Sequence, residues 1–158
     1  GTKFISIIPA TLYGSGDKFD LANAHVLSSL IRKFYEAKIK GDKEITLWGS
    51  GEPRREFLYI DDLADACIFI INSNCEFDLI NIGVGNDISI KELAEKIKEI
   101  VGFKGEIKLD ISKSDGAMKK LLDSDRIKNL GWRHKVELDD GLKKTYQWFM
   151  DNIFELQN

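Results

Sequence analysis

The segment Lys3-Phe4-Ile5-Ser6-Ile7-Ile8-Pro9 restricts the fold more than any other stretch of this chain. It is a short, nearly continuous apolar run stopped by proline. Without polar alternation it reads as a strand buried on both faces, and that is a property of parallel sheets. A buried parallel strand needs neighbours reached by crossover connections, and nothing in the sequence given precedes this one. A self-sufficient module is not expected to open with such a strand. The expectation is therefore that the chain is one part of a larger α/β protein.

The rest of the sequence alternates helix and strand signals. A helix is expected over about Asp20 to Lys40, with Leu27, Leu30, Ile31 and Phe34 as its core stripe and Gly41-Asp42 as its end. Glu44 to Trp48 reads as a strand, Gly49 to Pro53 as a turn, and Glu56 to Ile60 as another strand. Asp61 or Asp62 is expected to cap a helix that buries Leu63, Ala66, Cys67, Ile70 and Ile71. Phe77 to Ile82 is apolar and ends at Gly83. Ser89 and Glu92 form a capping-box pair ahead of Ile90, Leu93, Ala94, Ile97 and Val101. Glu106 to Asp110 reads as a strand and Ser124 to Leu130 as a short helix closed by Gly131. Leu138 to about Asp151 is the last helix, with Leu142, Tyr146 and Phe149 on one side. Mixed strands and helices in this order make the fold class α/β.

Composition narrows the functions. With 158 residues, 43% apolar and 31% charged, the sequence is that of an ordinary globular domain. No apolar stretch approaches the roughly 18 residues of a membrane span. The opening Gly1 to Ala10 lacks a signal-peptide pattern. A net charge of −3 argues against nucleic acid as a partner. Cys67 and Cys75 make neither a disulfide framework nor a zinc site, so a reducing cytoplasm is the default. His25 and His134 stand far apart, so no metal cluster is expected.

Three polar clusters can carry chemistry. His25 is expected near the N-terminus of the long helix and off its apolar stripe. Spacings of three and four lead from it to Ser28 and Ser29, then Arg32 and Lys33. That face is either a solvated helix surface or a proton donor beside an anion site. In Trp48-Gly49-Ser50-Gly51-Glu52-Pro53-Arg54-Arg55, an aromatic ring and two arginines suit a nucleobase and a diphosphate, or else a hairpin turn with solvated charges. Ser112 to Lys120 is a basic, glycine-containing loop that supplies a further phosphate contact or is plain surface. Three cationic patches in an acidic chain favour a small anionic ligand. No glycine-rich dinucleotide loop or P-loop is present, and Gly83-Val84-Gly85 reads as a strand-end turn.

Longer motifs add to this reading. Pro9-Ala10-Thr11-Leu12-Tyr13-Gly14, Asn23-Ala24-His25-Val26, Trp48-Gly49-Ser50-Gly51, Arg55-Glu56-Phe57-Leu58, Asp61-Asp62-Leu63-Ala64 and Ser112-Lys113-Ser114-Asp115-Gly116 occur in order over nearly the whole chain. In this the sequence resembles the GDP-L-fucose synthase family, extended short-chain dehydrogenase/reductases of the nucleotide-sugar epimerase type. The resemblance implies an NAD(P)-binding Rossmann-type fold of which this chain is the C-terminal half, mainly the substrate-binding domain. Residues 1–14 would be a late strand and loop of the dinucleotide-binding domain. It implies NADPH as cofactor, held mainly by a half upstream of Gly1, and a GDP-sugar as substrate. The longer protein is expected to be a cytoplasmic homodimer, with no nucleic-acid or membrane partner.

The family epimerises C3 and C5 of GDP-4-keto-6-deoxymannose and reduces C4. Carried over by position, His25 would be the proton donor to the epimerising carbons and would border the cofactor. Lys33, Arg55 and Lys120 would neutralise the phosphates, Trp48 would pack on the nucleotide, and Pro9 and Leu12 would flank the nicotinamide. The family usually has Asn at Thr11 and Arg at Lys33, and a lysine offers a point charge in place of a bidentate fork. A reductase or epimerase of another GDP-linked 4-keto sugar therefore stays open, as does a stand-alone module that binds nucleotide sugars. No tyrosine here has lysine four residues later, so the chain alone is expected to be inactive.

Overall fold

In the computed structural model, which describes residues 4–21, 23–73 and 75–156, the opening apolar run becomes strand β1 (Ser6–Pro9). Lys3, at the start of that run, lies outside the described residues. After Ala10 the chain forms β2 (Thr11–Tyr13), helix α1 (Val26–Lys40), β3 (Glu44–Trp48), β4 (Arg54–Arg55) and β5 (Phe57–Tyr59). Then come α2 (Ile60–Asn72), β6 (Leu79–Ile82), β7 (Ile88–Ser89), α3 (Ile90–Val101), β8 (Glu106–Asp110) and β9 (Lys119–Lys120). Helices α4 (Asp125–Asn129) and α5 (Leu138–Leu156) complete it.

Parallel pairing dominates, as the first strand predicts. β1 runs parallel to β6 in the register Ser6↔Leu79 to Pro9↔Ile82, β2 parallel to β5, and β3 parallel to β8. Between them a three-stranded ribbon sets β4 antiparallel to β7 and parallel to β9. One core gathers α1, α3 and α5 around β3, with Phe34, Leu93, Ile97 and Leu142 at its centre. A second lies where α2 meets β6 and α4, around Leu58, Ile80, Ile82 and Ile127.

Several boundaries differ from the sequence expectation, each for a packing reason. Helix α1 begins at Val26, not near Asp20, and His25 is its N-cap in an extended conformation. Phe19 is drawn into the aromatic cluster of α5, its ring 4.8 Å from that of Phe149, and this takes the preceding segment off the helix axis. The strand expected over Glu56–Ile60 is shortened to β5: Glu56 stands between it and the unexpected two-residue strand β4, and Ile60 already belongs to α2. Neither Asp61 nor Asp62 caps α2; Tyr59 holds that position and the two acids sit in the first turn. The buried Asp62 carboxylate instead accepts the backbone N–H groups of Lys135 (2.9 Å) and Val136 (3.0 Å), tying the approach to α5 onto α2.

Burial also departs from expectation at one edge. β1 is parallel but not covered: Ile7 and Ile8 are 36% and 44% exposed, and Ile71 on α2 is 79% exposed. Among the described residues β1 is paired on one side only, by β6, and on α2 Leu63 and Cys67, expected to be buried, are half-buried. The capping box at Ser89 and Glu92 forms as predicted, and α3 buries all five residues assigned to its core.

Candidate functional site

The short ribbon brings the site together. Parallel pairing of β4 with β9 sets Arg55 directly beside Lys120 in register, with strands roughly 4.8 Å apart. Side chains alternate along β4, so its two arginines part company. Arg54 is taken up by Asp87 (Nε to Oδ1, 2.6 Å), with Glu92 at 3.5 Å. It is a brace between β4 and β7, not one of a pair of diphosphate ligands. Lys119 likewise turns to Asp87, at 3.1 Å. Arg55 and Lys120 are left facing a cleft.

That cleft, of about 420 Å³, is walled by Pro9, Leu12, His25, Arg55 and Lys120 among others. His25 enters it from the N-terminal end of α1. The residue is exposed and its side chain makes no capping bond. The first turn of α1 has no acidic residue of its own, and the Asp17 carboxylate meets it at Ser28, whose hydroxyl donates to Oδ2. Imidazole, guanidinium, ammonium and helix terminus thus converge on one space. Pro9 and Leu12 add an apolar wall at the carboxyl end of β1, the end at which open parallel sheets bind ligands.

A second cleft of about 480 Å³ adjoins it, and Arg55 and Val26 line both. Its floor is apolar, from Leu30, Leu47, Pro53 and Ile90. Lys33 reaches it from α1. Its ammonium donates to the carbonyl of Thr46, and burial pushes its pKa below the ordinary lysine value. Trp48 forms the rim, 70% exposed, with the Lys113 ammonium 5.8 Å from its ring centre. Such an exposed indole beside an apolar slot is a stacking platform.

The turn after Trp48 is held by a residue to which the sequence reading gave no role. Asp115 accepts from the Ser50 N–H at 2.6 Å and from the Ser50 hydroxyl at 2.8 Å. Gly49 has φ 81°, and a Cβ there would lie 2.2 Å from Asp115 Oδ1, so only glycine lets the carboxylate in. The clue was present in the Gly-Ser-Gly turn, but nothing local says which distant acid fills it. Arg32 does not join the site: it pairs with Glu36 at 2.8 Å and caps the Phe19 carbonyl at 3.2 Å. The cleft-facing side of α1 is therefore His25, Ser29 and Lys33. Among the described residues no group of His, Cys, Asp and Glu is arranged to hold a metal.

The arrangement can seat a flat ring on Trp48, clamp an anion between Arg55 and Lys120, and present a proton-transfer group to whatever hangs beyond it. Known proteins resemble this chain over nearly all of its length. The profile of the NAD dependent epimerase/dehydratase family matches residues 1–83. A GDP-L-fucose synthase of Sinorhizobium fredii is 50% identical over 153 residues, covering 97% of this chain and 49% of its own length. The structure of a GDP-L-fucose synthetase from Naegleria fowleri bound to NADP superposes with a TM-score of 0.90 at 32% identity, covering 96% of this chain and 48% of that one. A GDP-6-OMe-4-keto-L-xylo-heptose reductase from C. jejuni is 36% identical, with a TM-score of 0.85, over all of this chain and 55% of that one. The chain spans about half the length of the curated relatives it matches.

Proposed function

Because this chain belongs to the NAD dependent epimerase/dehydratase family, we propose that it is the substrate-binding half of a GDP-L-fucose synthase, with residues 1–14 contributing a late strand and loop to the dinucleotide-binding domain. The observation that carries this reading is Arg55, which stands where the two clefts meet and has Lys120 beside it. A GDP-sugar laid through the clefts has its base on Trp48, its diphosphate at Arg55 and Lys120 with Lys33 nearby, and its hexose against His25.

Each residue then has a task. A diphosphate carries charge that Arg55 matches with a planar fork and Lys120 with a point charge. The sugar's ketone at C4 acidifies the protons on C3 and C5. A base from the other half of the enzyme takes one of them, leaving an enolate that is reprotonated from the opposite face, and His25 stands at the cleft wall as the donor. NADPH, when bound, supplies the hydride that reduces C4. The apolar wall of Pro9 and Leu12, with His25 at its border, suits the uncharged face of a nicotinamide. No described segment forms the glycine-rich strand–turn–helix that grips a pyrophosphate. This chain therefore supplies only the nicotinamide end of the cofactor site, and the acid for the C4 oxyanion comes from the other half of the enzyme.

We place the longer protein in a reducing cytoplasm, in keeping with the two free thiols of Cys67 and Cys75, and expect it to work as a homodimer. No described helix is long and apolar enough to cross a membrane. Titration calorimetry with GDP and UDP tests the substrate class: GDP is expected to bind more tightly, and equal or absent binding refutes it. A second reading, reduction of another GDP-linked 4-keto sugar, is favoured by Thr11 in the cleft and by the likeness to the heptose reductase. Turnover in deuterated water separates the two, since only a double epimerase incorporates label at both C3 and C5.

A further inference from the structure

Glu56 separates β4 from β5 and is 2% exposed. No ion pair holds it among the described residues. Its carboxylate is instead shared between two backbone segments: Oε1 accepts from the Gly85 N–H at 2.7 Å and Oε2 from the Leu122 N–H at 3.0 Å. Its own N–H donates to the Lys120 carbonyl at 3.2 Å, and its carbonyl accepts from the Thr11 N–H at 3.2 Å. One residue thus fastens the strand carrying Arg55 to the segments carrying Thr11, Gly85 and Lys120. Space is kept for it: a Cβ at Gly83 would stand 2.4 Å from Oε1 and 2.7 Å from the Ser124 hydroxyl oxygen.

A buried carboxylate is costly unless its lone pairs are met, so its presence calls for a physical reason. Filling the volume is not one, because glutamine fills it equally well. What only a carboxylate offers is an acceptor at both ends, here aimed at N–H groups on two different segments. The neighbouring problem is also electrostatic. Arg55 and Lys120 are like charges in register on adjacent strands, and their repulsion drives the strands apart. The Glu56 side chain, on the face opposite Arg55, counters this mechanically through its bond to the segment just past Lys120.

We propose that Glu56 is a positioning residue which holds Arg55 and Lys120 side by side as a two-cation claw for the substrate's diphosphate. This rests on the functional reading above and adds to it the residue that builds the claw. The test is calorimetric titration of the chain and its Glu56→Gln variant with GDP and with guanosine. The amide of glutamine turns a donor toward one of the two N–H groups and releases that segment. The wild type is expected to bind GDP at least about tenfold more tightly than guanosine, the scale of one charge-assisted contact. In Glu56→Gln most of that advantage is lost while guanosine affinity stays the same.

An advantage fully kept in the variant overturns the inference and leaves the functional reading intact. Equal losses for GDP and guanosine also overturn it, since they describe a general brace of the fold. A wild type that binds neither compound overturns the functional reading and the inference with it. If Glu56→Gln does not fold, amide hydrogen exchange on the wild type decides. GDP but not guanosine is expected to slow exchange at Leu122, and equal effects of the two overturn the positioning role.

Discussion

Replacing Arg55 by alanine tests the junction of the two clefts most directly. The guanidinium is half-buried and spends one N–H on the Arg54 carbonyl at 2.8 Å. A guanidinium has five N–H donors, so the rest remain for a ligand. Loss of a charge-assisted hydrogen bond costs about 1.5–3 kcal/mol, which is roughly 10- to 150-fold in Kd. Arg55 takes no part in the ion pair that braces β4, which belongs to Arg54 and Asp87. The thermal midpoint of Arg55→Ala is therefore expected to stay close to that of the wild type. Calorimetry should find GDP weakened by that factor and guanosine unaffected, with GDP binding less dependent on salt because a phosphate contact is gone. A folded Arg55→Ala variant with unchanged GDP affinity would return this arginine to the solvated surface and remove the basis for a diphosphate site.

Four further outcomes are expected. In the longer enzyme, His25→Ala should leave GDP-sugar binding intact and slow epimerisation by about 10²–10⁴-fold; deuterium entering C3 and C5 at the wild-type rate would reject the role. Asp62→Ala strands the Lys135 and Val136 N–H groups and should lower stability by about 1–3 kcal/mol in urea unfolding. Arg54, with Lys119 adding to it, holds the Asp87 carboxyl below its ordinary pKa. Its stabilising contribution is thus complete above an unfolded value of about 3.9 and lost as pH falls through the folded value; Asp87→Asn should flatten that part of the acid-unfolding curve. The chain alone should bind NADPH weakly, so micromolar affinity in a fluorescence titration would contradict the assigned split of the cofactor site.

Periodicity alone was enough for the core stripes of α1 and α3, though not for where α1 begins or for which residues α2 buries. α3 was legible to its capping box, because Ser89, Glu92 and the apolar spacing all act within a few residues of one another. The parallel character of β1 was legible too, from a run that leaves no polar face. Where the sequence misled, a distant contact was the cause. Phe19 packs on the rings of α5, far along the chain, and α1 starts only at Val26. Asp62 turned from capping its own helix to two amides beyond Arg133.

The same division runs through the site. His25, Lys33, Trp48, Arg55, Lys120, Pro9 and Leu12 were named from motifs, and the clefts bring all of them to adjoining walls. Motif position singled out Arg55, but spacing alone could not separate it from Arg54, because a strand's alternation acquires an inside only when its neighbours are placed. Nor was the work of Asp115 and Glu56, whose partners lie 65 and 29 to 66 residues away. The sequence by itself determined the chemical repertoire, the helix stripes and the parallel sheet, since these depend on residue types and short-range spacing. Only the tertiary structure decided which charges neutralise one another and which stay free to bind, because that depends on distances across β4, β7 and β9 set by the packing of the whole chain.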